Sequence, residues 1–295
     1  MQSNISNLNK IGVIGAGQMG NGIAQVASQF GFSIIMTDVS QAALEKGMQT
    51  IRSSCDRMIK KGTMTEDHKV ALLNRLETST SLAALKDCDL VVEAATENVD
   101  LKLKIFREVD EIVKPSGILT SNTSSISITK IASVTKRPSQ VAGMHFMNPV
   151  PLMKLVEGIR GLQTSDSTFA TVKAIAEKMD KTFVTSQKDM PGFIVNRILM
   201  PMINEAVHAL NEGVADAEAI DTAMKLGTNQ PMGPLALADF IGLDTVQSIC
   251  HVLYEGLGNP KYFPSPLLIK YVEAGWLGRK TGRGFYNYAD AVKKS

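Results

Sequence analysis

The chain has 295 residues, 44% of them hydrophobic and 20% charged, with a formal net charge of +2 at pH 7. That length predicts two domains around a sizeable core, and the near balance of charge gives no reason to expect a nucleic acid or a polyanionic surface as partner. No apolar run reaches the roughly 18 residues of a membrane span, and the three cysteines (Cys55, Cys88, Cys250) are far apart without metal-ligand spacing, so neither membrane nor metal is expected and a reduced, cytoplasmic setting is.

Residues 1–9 are polar and read as neither a signal peptide nor an Arg-rich transit peptide. A short apolar strand then runs into Gly15-Ala16-Gly17-Gln18-Met19-Gly20, with a helix expected from Gln18 to Phe30. The next strand, from Phe32 to Thr37, ends at Asp38. Strand, Gly-x-Gly-x-x-Gly turn, helix and an acid about twenty residues on make a dinucleotide site, with backbone N–H groups on a pyrophosphate and the acid on a ribose 2′-hydroxyl. A helix over 42–61 carries Leu44, Met48, Ile51, Cys55, Met58 and Ile59 at helical spacing. Its other face, Arg52, Ser53, Ser54, Arg57, Lys60 and Lys61, reads either as a solvated face or as a clamp for an acidic ligand tail. Thr65-Glu66-Asp67 caps another helix ending near Asn74.

Leu90 to Ala95 is nearly all apolar, as expected of a parallel strand covered on both faces. A charged helix over 101–113 follows Glu97 and Asn98, and the next strand, Ile118 to Ser121, leads into Asn122-Thr123-Ser124-Ser125. That polar turn either caps the next helix or faces a ligand, because open α/β sheets bind ligands beyond their carboxyl ends. The strand from Val141 delivers His145 to its own end, where Asn148-Pro149 and Pro151 stop regular structure. Twelve residues past His145, a strand from Lys154 carries Glu157 at its tail. Histidine has the pKa of a general base, and a buried carboxylate on its other nitrogen fixes the tautomer; the alternative is a loop histidine and an unrelated glutamate. A crossover helix over 168–179 and a strand over 182–185 complete the sheet pattern.

Lys188-Asp189-Met190-Pro191-Gly192 breaks that pattern, placing a domain boundary after 189. The expected architecture is a Rossmann-type, doubly wound, mainly parallel sheet over 1–189 followed by an all-α domain over 190–295. The first helix of that domain runs to Asn211, contains Pro201, and begins near Asn196, which either reaches the cleft or bridges the hinge. Further helices are expected over 216–226, stopped by Gly227, from Pro234, over 244–254 and over 264–273. A helical module rich in Leu, Ile and Met buries a face against something, here a second subunit.

Taken together, Gly15–Gly20, Ser121–Ser125, His145–Val150, Lys154–Glu157, Pro191–Arg197 and Gly278–Phe285 resemble the L-3-hydroxyacyl-CoA dehydrogenase family, and within it the bacterial 3-hydroxybutyryl-CoA dehydrogenases, over nearly the whole chain. The resemblance implies an NAD-dependent oxidoreductase of fatty acid metabolism that interconverts 3-hydroxyacyl-CoA and 3-ketoacyl-CoA, as a homodimer built through the helical domain. It implies that His145 is the general base, Glu157 its orienting partner, and Ser124 and Asn196 the holders of the reacting oxygen or thioester carbonyl. Glu97, Lys102, Asn148 and Lys280, with Ser124, then match coenzyme contacts alongside Gly15, Gly17, Gln18, Met19, Gly20 and Asp38. Ser54 and Lys61 match coenzyme A contacts, which turns the basic face of the 42–61 helix into an anchor for CoA phosphates. Asp38 favours NAD over NADP, since a carboxylate there repels a 2′-phosphate. Met147 departs from the phenylalanine of many relatives and alters the shape of the pocket more than its chemistry. Two rival readings are a dehydrogenase of a small free hydroxy acid and a non-catalytic nucleotide-binding relative. The His145/Glu157 pair in place of a lysine base argues against the first, and candidate residues at all four catalytic positions argue against the second.

Overall fold

A computed structural model describes residues 8–288. Residues 1–7, most of the polar stretch read above as neither a signal peptide nor a transit peptide, and residues 289–295 lie outside that range. The chain forms two compact units, one ending at Asp189 and the other beginning at Met190.

The first unit is an eight-stranded sheet with helices between its strands. In chain order it comprises β1 (Lys10–Ile14), α1 (Gln18–Gln29), β2 (Ser33–Thr37), α2 (Gln41–Lys60), α3 (Glu66–Leu73), β3 (Leu76–Ser79), β4 (Leu90–Glu93) and α4 (Val99–Ile112). It continues with β5 (Ile118–Ser121), α5 (Ile128–Ala132), β6 (Val141–Phe146), β7 (Leu155–Ile159), α6 (Asp166–Lys178) and β8 (Thr182–Ser186). The spatial order is β3-β2-β1-β4-β5-β6-β7-β8, and only the β6–β7 pairing is antiparallel. The order reverses between β1 and β4, which is the place where doubly wound sheets bind ligands.

The central strands β4, β5 and β6 are buried throughout, which is why they are continuous apolar runs rather than alternating ones. One cluster centred on Val13, Ile23, Phe32, Ile34, Met36, Val92, Met144 and Phe146 fills one side of the sheet; each such side chain contributes about 1.5–3 kcal/mol on burial. Helix starts follow the cap residues: Ser40 accepts from Ala43 N–H, Thr65 from His68 N–H and Asn98 from Leu101 N–H.

Two expectations are corrected here. Glu157 lies in the middle of β7 rather than at its tail, because pairing with β6 and β8 continues to Ile159. In the second unit Gly227 is inside α8, which ends instead at Asn229 in the left-handed conformation (φ 55°), a conformation that asparagine tolerates. This unit contains α7 (Val195–Asn211), α8 (Ala217–Thr228), α9 (Pro234–Ile241), α10 (Leu243–Leu257) and α11 (Pro266–Glu273) around Ile203, Val207, Leu235, Leu243, Val246, Leu253 and Leu268. Among the described residues no single helix is long and apolar enough to cross a membrane.

Candidate active site

The glycine turn joins β1 to α1 at the switch point of the sheet. Gly15 has φ +99°, and a Cβ there would lie 2.7 Å from the carbonyl oxygen of Ala94 at the end of β4. A Cβ on Gly20 would lie 1.8 Å from the Gly15 carbonyl oxygen, so the helix can only start this close to the strand without side chains. Gly17 is the N-cap of α1, with no side-chain cap and nothing within 4 Å of the space a Cβ would take. No acidic side chain occupies the first turn of α1. Uncapped N–H groups, the positive end of the helix dipole and open space beside them fit a dinucleotide pyrophosphate. Gln18 is exposed and Met19 partly so. Asp38 is drawn to the same turn: its Oδ2 accepts from Ala16 N–H at 2.9 Å and its Oδ1 from Ser40 N–H at 3.0 Å.

A charge cluster stands beside this turn, at the carboxyl ends of β4 and β5. Lys102, on α4, is 0% exposed, and its ammonium lies 2.7 Å and 3.0 Å from the two oxygens of Glu93, which is 1% exposed. It also donates to the Ala95 carbonyl at 3.2 Å and lies 3.2 Å from Glu97 Oε2. Glu93 accepts further from Ser121 Oγ and Ala95 N–H, each at 2.7 Å. Glu97 Oε1 accepts from the Thr123 hydroxyl, from Ser124 N–H at 2.9 Å and from Ser125 Oγ at 2.8 Å, with Ser124 Oγ at 3.5 Å. Partial burial pushes the Glu97 carboxyl up, but Lys102 and the hydrogen bonds from Thr123, Ser125 and Ser124 outweigh it and hold the group below the usual carboxylate range. The conformation of the Ser124 turn is therefore set by Glu97, and Glu97 by Lys102. Glu93 and Thr123 were not anticipated as members of the site. Glu93 had a signal, as the charge that ends an otherwise apolar strand.

His145 and Glu157 are direct partners across β6 and β7. His145 Nδ1 lies 2.8 Å from Glu157 Oε2, with the histidine 7% and the glutamate 0% exposed. The strand ends are tied together, since Asn122 Oδ1 accepts from Phe146 N–H at 2.8 Å and so links the Ser124 turn to the His145 strand. Asn148, just beyond, accepts from Gln18 Nε2 at 3.1 Å. The glycine turn, Asp38, Glu97, Lys102, Ser124, His145, Asn148 and Glu157 thus all belong to the first unit. Ser54 is half-buried on α2, and Lys61 is exposed at the C-cap of that helix.

In the second unit Asn196 is half-buried in the first turn of α7. Lys280 lies in the segment after α11, with its ammonium 2.5 Å and 2.6 Å from the carboxylate oxygens of Asp244. Among the described residues no group of His, Cys, Asp or Glu is placed to hold a metal ion.

Residues 10–190 match the family model of the 3-hydroxyacyl-CoA dehydrogenase NAD binding domain, and residues 192–288 that of the 3-hydroxyacyl-CoA dehydrogenase C-terminal domain. The chain belongs to the 3-hydroxyacyl-CoA dehydrogenase family. It is 56% identical to a 3-hydroxybutyryl-CoA dehydrogenase of Bradyrhizobium diazoefficiens, over 96% of this chain and 97% of that one. A probable 3-hydroxybutyryl-CoA dehydrogenase of Deinococcus radiodurans is 57% identical, over 95% of this chain and all (100%) of its own. The crystal structure of the (S)-3-hydroxybutyryl-CoA dehydrogenase from Ralstonia eutropha superposes with a TM-score of 0.92 at 55% identity, covering 95% of this chain and 99% of that one. As a member of the 3-hydroxyacyl-CoA dehydrogenase family the protein is an oxidoreductase with NAD as its coenzyme, and the open, uncapped start of α1 beside Asp38 fits that coenzyme.

Proposed function

We propose that this chain interconverts a short-chain (S)-3-hydroxyacyl-CoA, 3-hydroxybutyryl-CoA in the first instance, and the 3-ketoacyl-CoA. When bound, NAD supplies the acceptor for the hydride that leaves C3 of the substrate. The observation that carries the reading is the buried His145–Glu157 contact of 2.8 Å. A carboxylate on Nδ1 keeps the ring proton there, which makes Nε2 the nitrogen that takes the C3 hydroxyl proton. Glu157 then faces the imidazolium as it forms, and because the carboxylate is buried its attraction for that charge is little screened. In the reverse direction the same imidazolium returns the proton to the C3 oxygen.

Ser124 and Asn196 are assigned to the reacting oxygen and the thioester carbonyl, and Ser54 and Lys61 to the coenzyme A moiety. Glu97, Asn148 and Lys280 are assigned to the nicotinamide nucleotide. Lys102 is assigned to the same task at one remove: its ammonium is buried against Glu93 and Glu97, so it acts by fixing Glu97. The helical unit is assigned to dimerisation, and the three buried free cysteines agree with a reducing, cytoplasmic setting. The test is NADH oxidation followed by absorbance with acetoacetyl-CoA and a series of longer 3-ketoacyl-CoA substrates. Turnover that falls with acyl length is expected, and no turnover with any of them refutes the assignment. His145→Gln should lower kcat by about 10²–10⁴-fold while NADH affinity, measured by fluorescence titration, stays within about twofold; near-normal turnover would remove His145 from the mechanism.

A further inference from the structure

The loop 147–154, between β6 and β7, cannot satisfy its own backbone. Pro149 and Pro151 carry no N–H, and the N–H groups of Leu152 and Met153 both go to the single carbonyl of Pro149, at 3.0 Å each. The carbonyls of Val150 and Met153 are met instead by one side chain from outside the loop: Lys181 Nζ donates to Val150 O at 2.6 Å and to Met153 O at 2.8 Å. Lys181 is the residue before β8 and is 6% exposed. Lysine is seldom buried this far without a paired acid, and burial, with Lys154 adding to it and Asp180 opposing, pushes its pKa down. An unbranched apolar side chain would fill the same space without that penalty but would leave two carbonyls without a donor.

The opposite side of the loop rests on the nucleotide-binding elements. Val150 is 2% exposed and packs on Gly22 of α1, where a Cβ would lie 2.9 Å from Val150 Cβ and 3.6 Å from Pro151 Cδ. Asn148 meets Gln18 of the glycine turn at 3.1 Å. The loop is therefore held from behind by Lys181 and from in front by α1 and its turn.

We propose that Lys181 is a positioning residue for coenzyme binding: by fixing the carbonyls of Val150 and Met153 it sets Asn148 against the glycine turn. This rests on the reading of that turn as the NAD site. Lys181 touches no reacting atom, and His145 and Glu157 take their alignment from strand register, so the effect is confined to the coenzyme. The experiment is fluorescence titration of NADH onto the full chain and its variants, with KM for acetoacetyl-CoA and the pH profile of kcat measured alongside. Lys181→Met should weaken NADH binding about tenfold, as expected for losing charge-assisted hydrogen bonds. KM for acetoacetyl-CoA and the apparent pKa values of the profile should not move. Lys181→Arg, which keeps the donors, should recover most of the affinity, whereas a purely structural role would lower the active fraction and leave NADH affinity alone. Gly22→Ala presses on the loop from the other side without touching Lys181, and should also weaken NADH. A folded Lys181→Met protein with wild-type NADH affinity overturns the proposal; if that variant does not fold, wild-type affinity in Gly22→Ala overturns it. A wild-type chain that binds no NADH overturns the NAD reading itself, and this proposal with it.

Discussion

Replacing Lys102 by methionine should destabilise the sheet unit by about 3 kcal/mol. The side chain is 0% exposed and its partner Glu93 1%, so the substitution removes one half of a buried ion pair. Such losses run to about 3–5 kcal/mol, because the surviving charge is left in a medium that solvates it poorly. Here Glu93 retains two donors at 2.7 Å, Ser121 Oγ and Ala95 N–H, which places the cost at the lower end, about 3 kcal/mol. For a unit of this size, at about 2–4 °C per kcal/mol, the melting temperature should fall by roughly 6–12 °C. Far-UV circular dichroism on heating, with urea midpoints at constant m, measures it. The double variant Glu93→Gln/Lys102→Met leaves no buried charge at the pair and should regain at least half of the loss, the two substitutions being strongly non-additive. A single variant within about 1 kcal/mol of wild type, or a double variant less stable than the single, would refute the argument that the pair is a buried, mutually dependent unit.

Further outcomes follow from the same structure. Because the folded pKa of Glu97 is held below its ordinary value of 4.5, its contribution to stability is fully present above that value and disappears as the pH falls through the folded pKa. Melting temperatures of wild type and Glu97→Gln should differ at neutral pH and converge in acid below pH 4.5; a gap that widens on acidification would reverse the sign of the reasoning. All three thiols are buried, and burial pushes Cys88 and Cys250 up to about 12 and Cys55 upward as well. A thiol-specific disulfide reagent at mildly alkaline pH should therefore react slowly with the native protein and with all three cysteines after denaturation. Prompt reaction of one thiol in the native state would contradict its burial.

What could be read in the sequence was whatever depended on local pattern. Buried parallel strands are apolar runs, so β4, β5 and β6 and the turns at their ends were visible, and with them Ser124 and His145. Asp38 was visible by its distance from the glycines. β3 was not expected, since Leu-Glu-Thr-Ser is a half-exposed edge strand that owes its conformation to the backbone of β2. The helix after the Ser124 turn is only five residues, Ile128–Ala132, and its start is fixed from a distance: Asp189 accepts from Ser127 Oγ and from the N–H groups of Ile128 and Thr129 at 2.7–3.0 Å. Glu93 and Lys181 escaped for a related reason, because a buried charge is defined by partners that are remote in sequence. Lys102 matched a coenzyme contact by resemblance alone, and in the fold its ammonium is buried against Glu93 and Glu97.

The antiparallel reversal between β6 and β7 bears on which changes of chain length the active site can survive. His145 and Glu157 are opposite one another by strand register, so the length of the connection between them does not enter their alignment. Insertions near exposed Leu152 should be accommodated as far as the His145–Glu157 contact is concerned. A slip of β7 by one residue against β6 has a different effect, because the side-chain period of a strand is two. The carboxylate would then point to the opposite face of the sheet, and the histidine would lose it without any substitution at either position. The alignment of His145 and Glu157 therefore depends on the reading frame of the short strand behind that loop and not on the loop's length.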